Sequence, residues 1–240
     1  MNYKFIMNMN NQFYLCPIEK VVEKSQKNKT NQQLIDACKM GNTEKVIELI
    51  KINAADLHLE NTETCLKFNP EGNNPLHIAA ANGYNDIVDY LIRNGADIHC
   101  VNKRYATSIH TAVFKGRVET VKLLLDRGAS IEAKEDEGDT PLAWASYTGY
   151  SNIVELLLQR GANIHNKNKL DYTPLHWACY IGHLGVVKTL VDHGANIFAE
   201  NFDGETPICC ASNCGREDVY MYLIKAANKS RRFRVITSNE

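Results

Sequence analysis

The chain is 240 residues long, 44% hydrophobic and 23% charged, with a net charge of −1. That is an ordinary globular composition for one or two domains; it carries no net charge to attract nucleic acid and no apolar run of membrane-span length. The opening MNYKFIMNMNNQFYLC is broken by Asn and Gln too often to form the apolar core of a signal peptide, so a cytoplasmic location is expected.

Charge is unevenly distributed. Residues 1–33 are net +3 and residues 225–240 net +4, which leaves −8 for the body between them. Solvated ends on an acidic body are expected before a nucleic-acid site. The eight cysteines are scattered and read as reduced thiols rather than as a disulfide framework.

In chain order, Pro17 to Lys27 has the composition of a helix, and KSQKNKTN reads as a linker after it. TNQQ, from Thr30 to Gln33, has the pattern of a capping box opening the next helix. From there the sequence repeats. Pro75, Ser108, Pro141, Pro174 and Pro207 stand 33 residues apart. So do Gly83, Gly116, Gly149, Gly182 and Gly215, and so do the Gly-Ala pairs at Gly95, Gly128, Gly161 and Gly194. Three position classes in one register define an array. A weaker first unit carries Ala37 and Gly41, and the connection after it is about nine residues longer than the others. The expected division is an extension over 1–30, a first unit over 31–71, full units at 72–104, 105–137, 138–170 and 171–203, a terminal cap at 204–228, and a basic frayed tail over 229–240.

Each unit holds two helical patterns. In the unit DYTPLHWACYIGHLGVVKTLVDHGAN, Thr173 suits the N-cap and Pro174 the first helical position, where its missing N–H costs nothing. Ala178 gives that helix a small face, and Gly182 suits a left-handed C-terminal cap. The second helix carries the apolar stripe Val186, Val187, Leu190 and Val191. A helix pair this small cannot bury its stripe alone, so the units must stack.

TPLHWACYIGH and GNNPLHIAAANGY resemble the ankyrin repeat, with its T-P-L-H-x-A signature and 33-residue period, over residues 31–228. The departures are local: Ser108-Ile109 for Pro-Leu, Ala143 and Cys209 for His, and Tyr105 and Asp171 where a hairpin Gly is usual. The resemblance implies an all-α solenoid of stacked helix pairs with projecting hairpins and a concave binding face. It also implies a structural role for His77, His110 and His176, within and between repeats.

No phosphate loop, dinucleotide fingerprint, nucleophile elbow or HExxH motif appears, so no catalytic residue, metal or cofactor is assigned. Cys210 and Cys214 lie four apart beside Cys209, but a zinc site needs a second ligand pair. Trp144 and Trp177 fit either partner anchors or half-buried spacers between stacked helices. The two positions before the helix-ending Gly, which the resemblance puts on the concave face, read Phe114-Lys115, Tyr147-Thr148 and Tyr180-Ile181. Successive aromatics there suit an interface, with mutual packing as the alternative. At the hairpin tips, Lys103 and Arg104, then Asp136, Glu137 and Asp139, then Lys169 and Tyr172, then Phe202, Asp203 and Glu205 suit either solubility or partner selection.

The expected function is non-catalytic binding of an unidentified protein partner by a monomer, through the groove and hairpin tips. Heavy use of Asn, Lys and Ile suggests an AT-rich genome, and similar arrays of intracellular microbes act on host proteins, so a host-directed effector is one form of this reading. Two other classes stay open. One is an enzyme or enzyme-modifying factor with a site hidden between repeats, and the other is nucleic-acid or nuclear-import binding through KSRRFR.

Overall fold

Thr or Asn followed by Pro sets the same local structure in four units. In the computed structural model, which describes residues 3–7, 13–53 and 71–237, with side-chain detail over 29–51 and 71–228, Asn74, Thr140, Thr173 and Thr206 are N-cap residues in extended conformation, each followed by Pro at the first helical position. Thr173 Oγ1 accepts the backbone N–H of His176, as Asn74 Oδ1 accepts that of His77. Thr107 takes the same role before Ser108, so the missing Pro there leaves the helix start in place.

Twelve helices follow one another among the described residues, after a short hairpin of β1 (Tyr3–Met7) and β2 (Phe13–Pro17) paired antiparallel. They are α1 (Ile18–Met40), α2 (Thr43–Asn53), α3 (Pro75–Asn82), α4 (Asn85–Arg93), α5 (Ser108–Phe114), α6 (Val118–Asp126), α7 (Pro141–Thr148), α8 (Ser151–Gln159), α9 (Pro174–Ile181), α10 (Leu184–Asp192), α11 (Pro207–Asn213) and α12 (Glu217–Thr237). They pack as six pairs. Odd-numbered helices stack on odd-numbered ones in series, and even-numbered ones likewise.

The core is a column built by the same positions in each unit. Ala79, Ala112, Ala145, Ala178 and Ala211 are fully buried where the odd-numbered helices meet. Leu91, Leu124, Leu157 and Leu190 are fully buried on the even-numbered helices. Each such leucine contributes about 2 kcal/mol by leaving water, and it does so only because a neighbouring unit covers it. The hairpin tips are joined in series by single backbone bonds: Lys103 N–H to Glu71 O at 3.1 Å, Asp136 to Arg104 at 2.8 Å, Lys169 to Glu137 at 3.0 Å and Phe202 to Leu170 at 3.0 Å.

Two expectations at the ends need correction. The stretch read as a linker, KSQKNKTN, lies inside the 23-residue helix α1, and TNQQ does not start a helix. No Gly or Pro interrupts that stretch, its Lys and Gln favour helix, and Thr30 and Asn31 are buried in the stack. The tail read as frayed likewise continues α12 to Thr237, again without Gly or Pro. Residues 54–70 of the long first connection lie outside the described residues, including Leu57, Leu59, Leu66 and Phe68, whose apolar character suggested a cap or a binding finger.

Candidate partner-binding groove

The odd-numbered helices end on a repeated device. Gly83, Gly149 and Gly182 are left-handed C-caps, and Gly116 and Gly215 have positive φ one residue later. The free carbonyls at these ends are taken by the next unit: Arg117 Nε donates to Ala81 O at 3.1 Å, His183 Nε2 meets Tyr147 O at 3.0 Å, and Arg216 Nε donates to Tyr180 O at 3.1 Å. These contacts fix the backbone carrying the groove residues. The sequence did offer a signal for them, since Tyr84, Arg117, Tyr150, His183 and Arg216 recur immediately after each glycine.

The histidines tie units together further in. His77, His110 and His176 are buried, and their Nε2 atoms lie 2.9, 3.3 and 3.1 Å from the carbonyls of Ala106, Asp139 and Glu205 in the following unit. Nδ1 of His110 and of His176 accepts the backbone N–H of its own N-cap residue, so Nε2 carries the proton that is donated onward. Burial pushes His77 and His110 down to about 4, and His176 in the same direction. They are neutral connectors.

Phe114, Tyr147 and Tyr180 lie in a row and are 46%, 44% and 43% exposed. Each is also pinned. Phe114 sets its edge against Trp144 at 5.6 Å between ring centres, Tyr147 against Trp177 at 5.5 Å, and Tyr180 against Trp177 at 6.2 Å. Trp177 is flanked by Tyr172 at 4.9 Å, and Trp144 by His110 at 5.4 Å and the Arg104 guanidinium at 5.7 Å. Both tryptophans are thus half-buried spacers that also form groove wall.

A cavity of about 560 Å³ opens between these rings, with Phe114, Trp144, Tyr147 and Trp177 as walls and Glu135, Glu137 and Asp139 on its acidic side. Glu135 is the residue that reading the sequence missed, and Asp139 was expected only as a hairpin-tip charge. Glu135 is buried, and its Oε1 accepts the backbone N–H groups of Glu137 and Asp139 at 2.9 and 3.0 Å. Burial, together with the neighbouring Asp136 carboxyl, pushes it up to about 7. The hydrogen bond shared with Glu135 and the charge of Arg104 hold Asp136 below the usual carboxylate range. Asp139 accepts the indole N–H of Trp177 at 2.9 Å, and burial raises its pKa.

The remaining expected residues are dispersed. Arg104 joins Glu135 and Asp136 at 3.5 and 3.8 Å, so part of the charge alternation at the tips is spent between units. Lys115 lies over the Phe114 ring at 5.4 Å, while Thr148 Oγ1 donates to Trp144 O at 2.8 Å within its own helix. Ile181 borders a separate cavity of about 330 Å³ with Arg216 and Glu217. Lys103, Lys169 and Glu137 are exposed, and Phe202 is 76% exposed. Among the described residues no group of His, Cys, Asp and Glu is arranged to hold a metal ion, and no helix is long and apolar enough to cross a membrane. Burial pushes the thiols of Cys38 and Cys210 up to about 12, which makes them unreactive packing groups. The basic side chains of 229–240 lie outside the described residues.

Stacked helix pairs with linked hairpins and a ring-lined groove define a repeat scaffold. The family model for ankyrin repeats, in three copies, matches residues 8–102, 76–168 and 160–232. The chain belongs to the ankyrin-repeat family, whose arrays are in general protein–protein interaction modules and typically non-catalytic. No curated protein matches it.

Proposed function

We propose that the protein is a non-catalytic adaptor of the cytoplasm that binds one protein partner along the groove of its third to fifth units. The observation that carries this reading is the row of Phe114, Tyr147 and Tyr180. Rings left nearly half exposed lose hydrophobic stabilisation, yet these three are fixed edge-on against tryptophans rather than folded away. Pre-fixed aromatic area binds with little loss of side-chain freedom. The exposed tips at Lys103, Lys169 and Phe202 rim this surface and suit partner selection. A host-directed effector role is compatible with this chemistry and follows only from the composition.

The test is affinity capture with the full chain and its Phe114→Ala/Tyr147→Ala/Tyr180→Ala variant. Truncating anchor residues costs about 2 kcal/mol or more each, so proteins retained by the native groove should be lost from the variant while its far-UV circular dichroism stays helical. Equal capture by both forms overturns the groove as the binding surface.

A further inference from the structure

One position at the groove breaks the repeat in a way that creates space. His77, His110 and His176 occupy the fourth position of the Thr-Pro-Leu-His element, and in the unit between the last two that position is Ala143, which lines the 560 Å³ cavity. The imidazole volume is missing there, and the walls left standing are Trp144, Tyr147 and Trp177.

A second break supplies charge. Asn102, Asn168 and Asn201 stand at one register, and each uses its Oδ1 to accept the backbone N–H groups two and four residues on. In the unit between the first two, that register holds Glu135, which makes the same two bonds with Oε1 and turns Oε2 to Arg104 Nη2 at 3.5 Å. The turn therefore needs the amide-like acceptor but not the charge. Asp136, Glu137 and Asp139 add three more carboxylates within four residues, and Asp136 Oδ1 is buried without a hydrogen-bond partner. Arg104 is the cation set against them, at 3.5 Å from Glu135 and 3.8 Å from Asp136, with its own side chain 60% exposed. Lys134, next in the chain, spends its Nζ on Lys167 O at 3.2 Å.

We propose that this cavity receives the guanidinium of an arginine side chain presented by the partner protein. The inference rests on the groove reading above. Flat aromatic walls favour a planar, weakly hydrated cation over a compact ammonium, and carboxylates on one side offer it forked hydrogen bonds. Arg104 already displays the pairing on the rim, with its guanidinium over Trp144 and against Glu135. The incoming group adds a second positive charge to a cavity lined by three carboxylates and Arg104.

The chain has two tryptophans and both line the cavity, so their indole N–H resonances report it directly. The experiment titrates the full chain with n-butylguanidinium, n-butylammonium and n-butylurea, the last a neutral planar isostere. The guanidinium should shift both indole resonances saturably, the ammonium should bind several-fold more weakly, and the urea should give no saturable response. Glu135→Asn puts the sibling residue at its register, so the fold is kept, and it should weaken guanidinium binding at least about tenfold. Equal responses to guanidinium and urea, equal affinities for guanidinium and ammonium, or unchanged binding by Glu135→Asn would each overturn the proposal. Such a failure leaves the groove reading standing, because the triple-alanine capture tests that separately.

Discussion

Arg216 Cδ lies 2.7 Å from where a Cβ on Gly182 would stand, and Arg216 Nε donates to Tyr180 O at 3.1 Å. The last unit thus closes over the end of α9. The glycine is required twice, once for its φ of 99° and once for the room it leaves. His183 makes the same closure over Gly149, within 2.6 Å of its absent Cβ, so the arrangement joins successive units beneath the aromatic row.

Gly182→Val should therefore destabilise the protein by roughly 2–3 kcal/mol, from left-handed strain plus a disturbed Arg216 hydrogen bond. Because each unit contacts only its neighbours, the damage should spread to the fifth and sixth units and leave the second and third folded. Urea unfolding should show an earlier transition with a smaller m-value. An unchanged midpoint would mean that the closure contributes nothing.

The period, the helix pairs and the buried column were legible because they depend on residue identity at fixed spacing. Ala178 and Gly182 announce close packing and a left-handed cap wherever they recur. The ends were less legible: KSQKNKTN looks like a linker by polarity, but polarity does not break a helix, and the stack supplies burial for Thr30 and Asn31. The acidic side of the cavity was missed because Asp136, Glu137 and Asp139 read as hairpin-tip charges and nothing in the sequence singled out Glu135. Only the fold shows that Glu135 points inward at a register otherwise held by Asn. The mutual pairing of Arg104 with Glu135 was hidden for the same reason, since the two lie 31 residues apart.

Tyr105 occupies the left-handed region with φ 55°, at the register held by Gly72, Gly138 and Gly204 in other units. It is 63% exposed, so removing its ring gives up little packing. Tyr105→Gly should relieve about 1–2 kcal/mol of strain against about 0.5–1 kcal/mol of added unfolded-state freedom. The expected result is a small gain in stability, read as a higher urea midpoint at constant slope. A loss of stability would show that the exposed ring makes a contact worth more than the strain.

His110 is buried and neutral in the folded protein, with its pKa lowered to about 4 from about 6.5. An unfolded chain takes up a proton that the folded one refuses across that interval. Stability carried by this group is thus complete above pH 6.5 and lost as pH falls toward 4, by up to about 3 kcal/mol. His110→Gln should lower stability at pH 7.5, because the bond to Asp139 O is altered, but should flatten the decline between pH 6.5 and 4.5. Urea unfolding of both forms across that range measures the slopes, and identical slopes would rule out His110 as their source.

Glu135 titrates in the opposite sense and in a different window. Its folded pKa near 7 lies above the ordinary value of 4.5, so the folded protein binds the proton more tightly than the unfolded chain. Ionisation costs stability as pH rises through 7, so on lowering pH from 8 to 6.5 this carboxyl offsets part of the stability lost as the buried histidines' unfolded forms begin to take up protons. Asp136, with its pKa held low, stays ionised throughout this window. Glu135→Asn removes the titrating group and keeps an acceptor for the N–H groups of Glu137 and Asp139, as Asn168 does for Leu170 and Tyr172. The variant should be more stable than wild type by about 1 kcal/mol at pH 8, a figure reduced from the full shift because the Arg104 pairing is also lost. Between pH 8 and 6.5 its melting temperature should fall more steeply than that of the wild type, because the offset from Glu135 is gone. A variant that is less stable than wild type at pH 8 would show that the carboxylate is there for folding, whereas the expected gain marks a charge kept at the cost of stability for what it binds.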